Sequence, residues 1–490
     1  MPAATSSDNF GMHWPAVEAG EFARHPKTGR VTIPRVMPAN EELNRRRFLT
    51  TTSRGALGLA AGASLVTGLR SLRAQSPANK VVLTLMGAGG RGSDLCRGFA
   101  RIGGVEFKYI CDVNTARGGD LVRELEKSQG RAPQRISDVR QALDDKDVHG
   151  VIIATAEHWH ALGTVWACQA GKDVYVEKTP SLTIWEGRKM IEAARKYNRV
   201  VQAGFQNRSA PYAVTARDYL RSGKLGKVVH VKVFNLLGGG PWNPKLDPEA
   251  PPAGLDWDRW LGPAPEAPYS PGRAYWYDWW DYCGGYFSGD ASHQLDLTRM
   301  VLGDPSPPQS AVCIGGNYAW HSQREVPEMQ TVTYDLGEFA MTCESGTATN
   351  HLRKSTNEER NGRKWPHWPS NCERIEIYGT KQLLYLGRHG VGWQVMEVDG
   401  KLVAEDKGVH PDKWHQPNFI DCIRSRQRPN ADIEQAHASA LLVHLANVSY
   451  RVGEKQLYFD AAAERFTNSD TANHFLRPAY RKDYRVPEVV

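Results

Sequence analysis

Short apolar runs alternate with segments of helical period from residue 80 onward. Val81-Val82-Leu83-Thr84-Leu85-Met86 is apolar and leads into Gly87-Ala88-Gly89-Gly90-Arg91-Gly92. Beyond it, Leu95, Cys96, Phe99 and Ile102 share one helical face. A second run spans 105–111, with helical segments over 116–128 and near 139–143. Residues 151–155 read as a buried strand, then a helix to Gly171, a strand over 173–176, a long helix over 184–197 and a strand over 199–204. Strands and helices alternating at this length predict an α/β domain, a doubly wound parallel sheet over 79–205. Residues 212–223 are helical and 228–236 alternate as a strand. Between 311 and 386, runs such as Met329-Thr331-Thr333 and Arg374-Glu376-Tyr378 alternate too. That pattern predicts an α+β second domain over 206–460 with a mainly antiparallel open sheet. Phe419, Ile420 and Ile423, then residues 433–452, predict two amphipathic helices.

The glycine turn carries the first chemical candidate. Gly87, Gly89 and Gly92 have G-x-G-x-x-G spacing, with Gly90 and Arg91 inside it. The first glycine permits the tight turn, the second admits a pyrophosphate, and the third lets helix and strand pack closely. The free N–H groups at the helix start suit a diphosphate. Asp112 ends the second strand, twenty residues beyond Gly92, where a carboxylate meets adenosine ribose hydroxyls. The expected cofactor is NAD, because that carboxylate repels a 2′-phosphate. Arg91 and Arg117 keep NADP open. Thr155, His158, Lys178 and Gln206 also follow strand ends, the side of such a sheet where ligands lie.

Composition narrows the rest. The chain has 490 residues and a formal charge of +7, but residues 1–74 hold ten Lys and Arg against five Asp and Glu. The remainder has 51 against 49, so charge gives no case for nucleic acid. Eight cysteines include no C-x-x-C pair, which predicts neither a disulfide framework nor a metal site. Fifteen tryptophans are unusual, and aromatics crowd residues 257–282. Aromatic faces stack on sugar rings, which makes Trp280 and Tyr282 candidate substrate contacts, although core packing accounts for most such rings. His351, Arg353 and Lys354 are further polar candidates.

Asn44-Arg45-Arg46-Arg47-Phe48-Leu49-Thr50 resembles a twin-arginine export signal. An apolar run follows over 55–69, and Ala74 precedes a candidate cleavage point. About fifteen apolar residues fall short of the ~20 that span a bilayer. The expectation is a signal over 37–74, a leader or mis-assigned start over 1–36, a periplasmic location reached through the twin-arginine machinery, and no stable membrane insertion.

Glu177-Lys178, His158-Trp159-His160 and Gln202-Ala203-Gly204-Phe205-Gln206-Asn207-Arg208 together resemble the Gfo/Idh/MocA family. The resemblance runs from about residue 79 to the C-terminus; 185–202 resembles an exported bacterial branch, as does the tail 461–490, which is therefore expected to pack on the body. It implies that Glu177 and Lys178 stand at the coenzyme, with Lys178 reaching nicotinamide ribose and substrate. Thr179 stands where the family has proline, and Pro180 comes one place later. Cys283-Gly284-Gly285 through His293 and Asp296 resembles the second family motif and makes His293 the catalytic base. Many relatives carry an Asp four residues before that His. Here Gly289 holds the place and Asp290 comes three before, which on a helix faces the same side. Asp290 is therefore the expected partner of His293, and Arg208 a substrate contact.

The implied activity is hydride transfer between a tightly bound nicotinamide coenzyme and a secondary alcohol of a sugar or polyol, in a homo-oligomer. Redox-neutral glycoside hydrolysis through transient oxidation, and sugar binding without catalysis, use the same residues and stay open at this point.

Overall fold

The computed structural model describes residues 80–320, 323–481 and 483–490; the leader and the twin-arginine segment lie outside the described residues. The first domain is built on six strands, β1 Val81–Met86, β2 Val105–Cys111, β3 Gln134–Ile136, β4 Gly150–Ile153, β5 Asp173–Val176 and β6 Val201–Ala203. They lie in the order β3-β2-β1-β4-β5-β6, and every pairing is parallel. Helices cover both faces, so β4 and β5 are buried at every position and read as continuous apolar runs. The chain reverses its direction of growth between β1 and β4, which opens a crevice at their carboxyl ends. The sequence pattern misses β3, whose three residues hold a single apolar side chain. The second helix starts at Gly119 instead of 116, after Gly118 at φ +80°.

The second domain is a ten-stranded sheet. Its strands are β7 Val228–Leu236, β8 Ser310–Gly316, β9 Met329–Asp335, β10 Ala340–Gly346, β11 Arg374–Gly379, β12 Leu383–Gly387, β13 Gly392–Met396, β14 Leu402–Asp406, β15 Leu457–Asp460 and β16 Arg465–Phe466. The order is β14-β13-β12-β11-β7-β10-β9-β8-β15-β16. Only β7 and β10 pair in parallel. In β9 buried and open positions alternate, as a sheet with one covered face requires. That face packs on the helices Ser292–Val301 and Ile433–Arg451.

The helix Ile433–Arg451 departs from the amphipathic expectation, being buried on nearly every side. Ile433 and Ala436 join the core of the first domain, while Leu441 to Val448 join the core of the second. It is a shared beam, and its sequence is apolar all round for that reason. The helix Asp412–Ser425 also returns to the first domain, with Phe419 and Ile420 against Phe99 and Tyr175. Val486 and Val490 of the tail enter the first domain's core, and the Tyr480 hydroxyl donates to Glu186 at 2.6 Å. Among the described residues no helix is long and apolar enough to cross a membrane.

Candidate functional site

A cleft of about 660 Å³ opens at the β1–β4 crevice and runs beneath the second domain. Its inner end is the glycine turn. Gly87 has φ +93°, and a Cβ there would lie 2.6 Å from the Ala154 carbonyl oxygen. A Cβ on Gly92 would lie 1.9 Å from the Gly87 oxygen, so the turn closes on itself with no room for a side chain. A Cβ on Gly90 meets nothing, which leaves that backbone open toward the cleft. Asp112 closes the turn from the neighbouring strand. One carboxylate oxygen accepts from the Ala88 N–H and the other from the Asn114 N–H, both at 2.8 Å.

Gly87, Gly89, Gly90, Arg91, Asp112, Thr155, His158, Glu177, Lys178, Gln206 and His293 all line this one cleft; Gly92 stands behind it. The Arg91 guanidinium donates to Glu177 at 2.9 Å and to Asp412 at 3.3 Å, tying the phosphate turn to β5 and to the helix Asp412–Ser425. His158 is buried between Trp260 and Tyr282, and burial pushes its imidazole down to about 4. The Gln206 Oε1 is buried without a partner. A bare glycine cradle, a carboxylate at the end of β2 and an orphaned amide oxygen fit a dinucleotide.

Lys178 and His293 come from different domains. The Lys178–Thr179 peptide is cis. Lys178 Nζ donates to the Gly289 carbonyl, and the Thr179 hydroxyl to the Ser288 carbonyl at 3.0 Å. Both acceptors lie in Phe287–Ala291, a π-helical turn leading into the helix that bears His293. Glu157 supports it from below, accepting from the Gly284 N–H at 3.1 Å and from the Ser288 hydroxyl. His293 is buried, its Nδ1 has no hydrogen-bond partner, and its ring meets His389 edge-on at 4.5 Å between centroids. Burial first, then His389, Lys178, Arg388 and Arg91, push its imidazole well below the ordinary 6.5, so it stands neutral.

Four expected residues sit differently. Asp290 makes no hydrogen bond to His293. The wider π-helical turn breaks the register that puts i and i+3 on one face, and Asp290 instead pairs with Arg388 at 2.8 Å, with Lys354 at 3.8 Å. Against burial, which pushes it up, Arg388 holds the Asp290 carboxyl below its usual range. Arg208 is 5% exposed and off the cleft. It donates to Asp296 at 2.7 Å and to Asp304 at 2.8 Å, so its donors are spent inside the protein. Trp280 lines a second cleft of about 210 Å³, and Tyr282 is fully buried. The aromatic wall of the main cleft is made by Trp276 and Tyr277, stacked at 4.0 Å, with Trp260 and Trp159. His389, His410 and Arg360 also line the cleft and carry no signal in the sequence, because they lie far along the chain, in a turn, a loop and a four-residue helix, with no motif around them.

A family model described as "Oxidoreductase family, NAD-binding Rossmann fold" matches residues 82–205, and one described as "Oxidoreductase family, C-terminal alpha/beta domain" matches 216–343 and 391–486. Levoglucosan dehydrogenase of Pseudarthrobacter phenanthrenivorans is 33% identical over 121 residues, 25% of this chain and 29% of that protein. Inositol 2-dehydrogenase of Salmonella typhimurium is 33% identical over 155 residues, 31% of this chain and 45% of that protein. The chain thus spans less than half the length of these two relatives. A solved structure of the WlbA dehydrogenase from Bordetella pertussis with NADH and UDP-GlcNAcA superposes with TM-score 0.56 at 19% identity, over 78% of this chain and 99% of that one. That likeness is one of fold. The matched models cover most of both domains, and the chain belongs to the Gfo/Idh/MocA oxidoreductase family.

Proposed function

We propose that this protein is an NAD-dependent dehydrogenase acting on a secondary alcohol of a sugar or polyol. The observation that carries this reading is the placing of Lys178 and His293, from two domains, on one cleft whose inner end is the glycine turn. The turn and Asp112 would hold the adenosine diphosphate part, with the free N–H groups of the helix Gly90–Ala100 toward the anion. Asp112 lining the cleft favours NAD over NADP. The nicotinamide, when bound, supplies hydride acceptance and donation.

The protein's own groups handle the proton and the charge. The substrate hydroxyl loses its proton to neutral His293, which lines the cleft. The Lys178 ammonium stands where negative charge develops on that oxygen, and the Gly289 carbonyl holds it there. Trp276 and Tyr277 offer a flat face for the apolar side of a sugar ring. Arg91, clamped between Glu177 and Asp412, fixes the strand that presents Lys178.

The reading extends to export through the twin-arginine route, supported by the order of arginines, apolar run and small residue over 44–74. It also extends to a homo-oligomer, supported by Ile314 and Tyr458, each about half exposed on one sheet. The test is mass spectrometry of nucleotide released from purified protein, then a panel of sugars, polyols and glycosides scored by nicotinamide fluorescence. NAD released and NADH formed with a polyol or sugar is the expected outcome. A glycoside cleaved with no net NADH would replace this reading with redox-neutral hydrolysis, and bound nucleotide with no turnover would leave a binding protein.

A further inference from the structure

Three imidazoles line one wall of the cleft, and each comes from a different element. His293 stands on the helix Ser292–Val301, His389 in the turn between β12 and β13, and His410 in the loop before the helix Asp412–Ser425. Ring centroids are 4.5 Å apart from His293 to His389 and 5.5 Å from His389 to His410. His293 Nδ1 makes no hydrogen bond, so a single bridging water must carry a proton between neighbouring ring nitrogens at these spacings. His410 is 42% exposed at its side chain and lies 3.9 Å from Asp412. The row therefore runs from a buried ring to one in contact with solvent.

The backbone is held to make that row. His389 has φ +53°, a left-handed conformation that a non-glycine residue rarely keeps unless its surroundings impose it. Its N–H donates to Asn207 at 2.8 Å, and the next N–H, of Gly390, donates to the Tyr212 hydroxyl at 3.3 Å. A Cβ on Gly390 would lie 2.6 Å from the backbone nitrogen of His410, so turn and loop touch with no side chain between them. Residues 344–390, which include His389, fall outside the segments matched by the family models.

Resting on the function proposed above, we infer that His389 and His410 form a proton exit, carrying the hydroxyl proton from His293 to solvent when substrate closes the direct path. The hydroxyl O–H bond breaks as an N–H bond forms on His293. His293 returns to neutral as His389 gains a proton on one nitrogen and yields one from the other. His410 repeats the exchange and releases the proton to water. No electrons move in these steps. The charges run downhill in that direction. His293 faces Lys178, Arg388 and Arg91, and His389 faces Arg388, Arg360 and Arg91; burial and these cations disfavour imidazolium at both. At His410 burial and Arg91 and Arg360 act the same way, but Asp412 opposes them.

The test uses the full chain and His389→Asn, which keeps a residue tolerant of positive φ and removes the titrating ring. His410→Phe is the second variant. Substrates are myo-inositol, levoglucosan and the best compound from the panel above. The expected result is a kcat about tenfold or more lower in His389→Asn, less than the ~10²–10⁴ of losing the base itself, with KM little changed. Added imidazole buffer should raise the variant's rate in proportion to its concentration and leave the wild type unmoved. His410→Phe should show a smaller loss with the same buffer response. Variant rates equal to wild type, or lowered rates indifferent to imidazole, would overturn the relay while the dehydrogenase reading stands. A wild type with no turnover on any compound would overturn both.

Discussion

Replacing Lys178 by Met should lower kcat by about 10²- to 10⁴-fold while bound nucleotide survives purification. The Lys178 ammonium donates to the Gly289 carbonyl, and its loss leaves the glycine turn and Asp112 untouched. What disappears is the positive charge beside the oxygen that gives up its proton. The same substitution carries a pH effect of known sign. His293 must be neutral to act, so activity is present above its pKa and lost as pH falls through it. In the wild type burial, His389 and Lys178 keep that pKa well below 6.5, which places the acidic limb of kcat/KM well below 6.5. Removing the ammonium moves the limb upward. Steady-state kinetics across pH, with nucleotide content by mass spectrometry, reads both. Unchanged turnover would remove Lys178 from the chemistry.

Replacing Arg208 by Ala should destabilise the fold by about 3–5 kcal/mol, because it leaves Asp296 charged, buried and without its main partner. Asp296 has no exposure, and Ser439 is the one other group donating to it among the described residues. Asp304, at the end of the helix Ser292–Val301, loses its clamp at the same time. Urea denaturation with ligand-free protein measures the effect. Adding Asp296→Asn should recover part of the loss, since the orphaned charge is then gone. Stability unchanged, with a raised KM, would return Arg208 to the substrate site.

The first domain was legible because its strands are covered on both faces and announce themselves as apolar runs ending in Gly87, Asp112, Thr155 and Lys178. Such runs need no knowledge of what packs on them. The strand β3 was not legible, since three residues carry no period. The helix Ile433–Arg451 was misjudged in kind, because a stripe read as one apolar face is in fact half of a helix buried by two cores. In the site, the residues that follow strand ends were readable from topology. Asp290 failed because sequence spacing presumes a regular helix, and Phe287–Ala291 is wound more widely. Trp276 and Tyr277 were lost among neighbours of the same kind, where only three-dimensional placement separates a cleft wall from a core. His389 and His410 had no local signal at all; a left-handed turn pinned by Asn207 exists only once the second domain has folded.

The central claim is that an amine of the first domain and an imidazole of the second flank one nicotinamide. A crystal structure of the protein with NADH and a polyol measures this most directly. The account predicts the substrate hydroxyl within hydrogen-bond reach of both Lys178 Nζ and the His293 ring, with the pyrophosphate on the turn Gly87–Gly92. Nicotinamide seated away from those two groups, or a diphosphate bound elsewhere than the glycine turn, would contradict it.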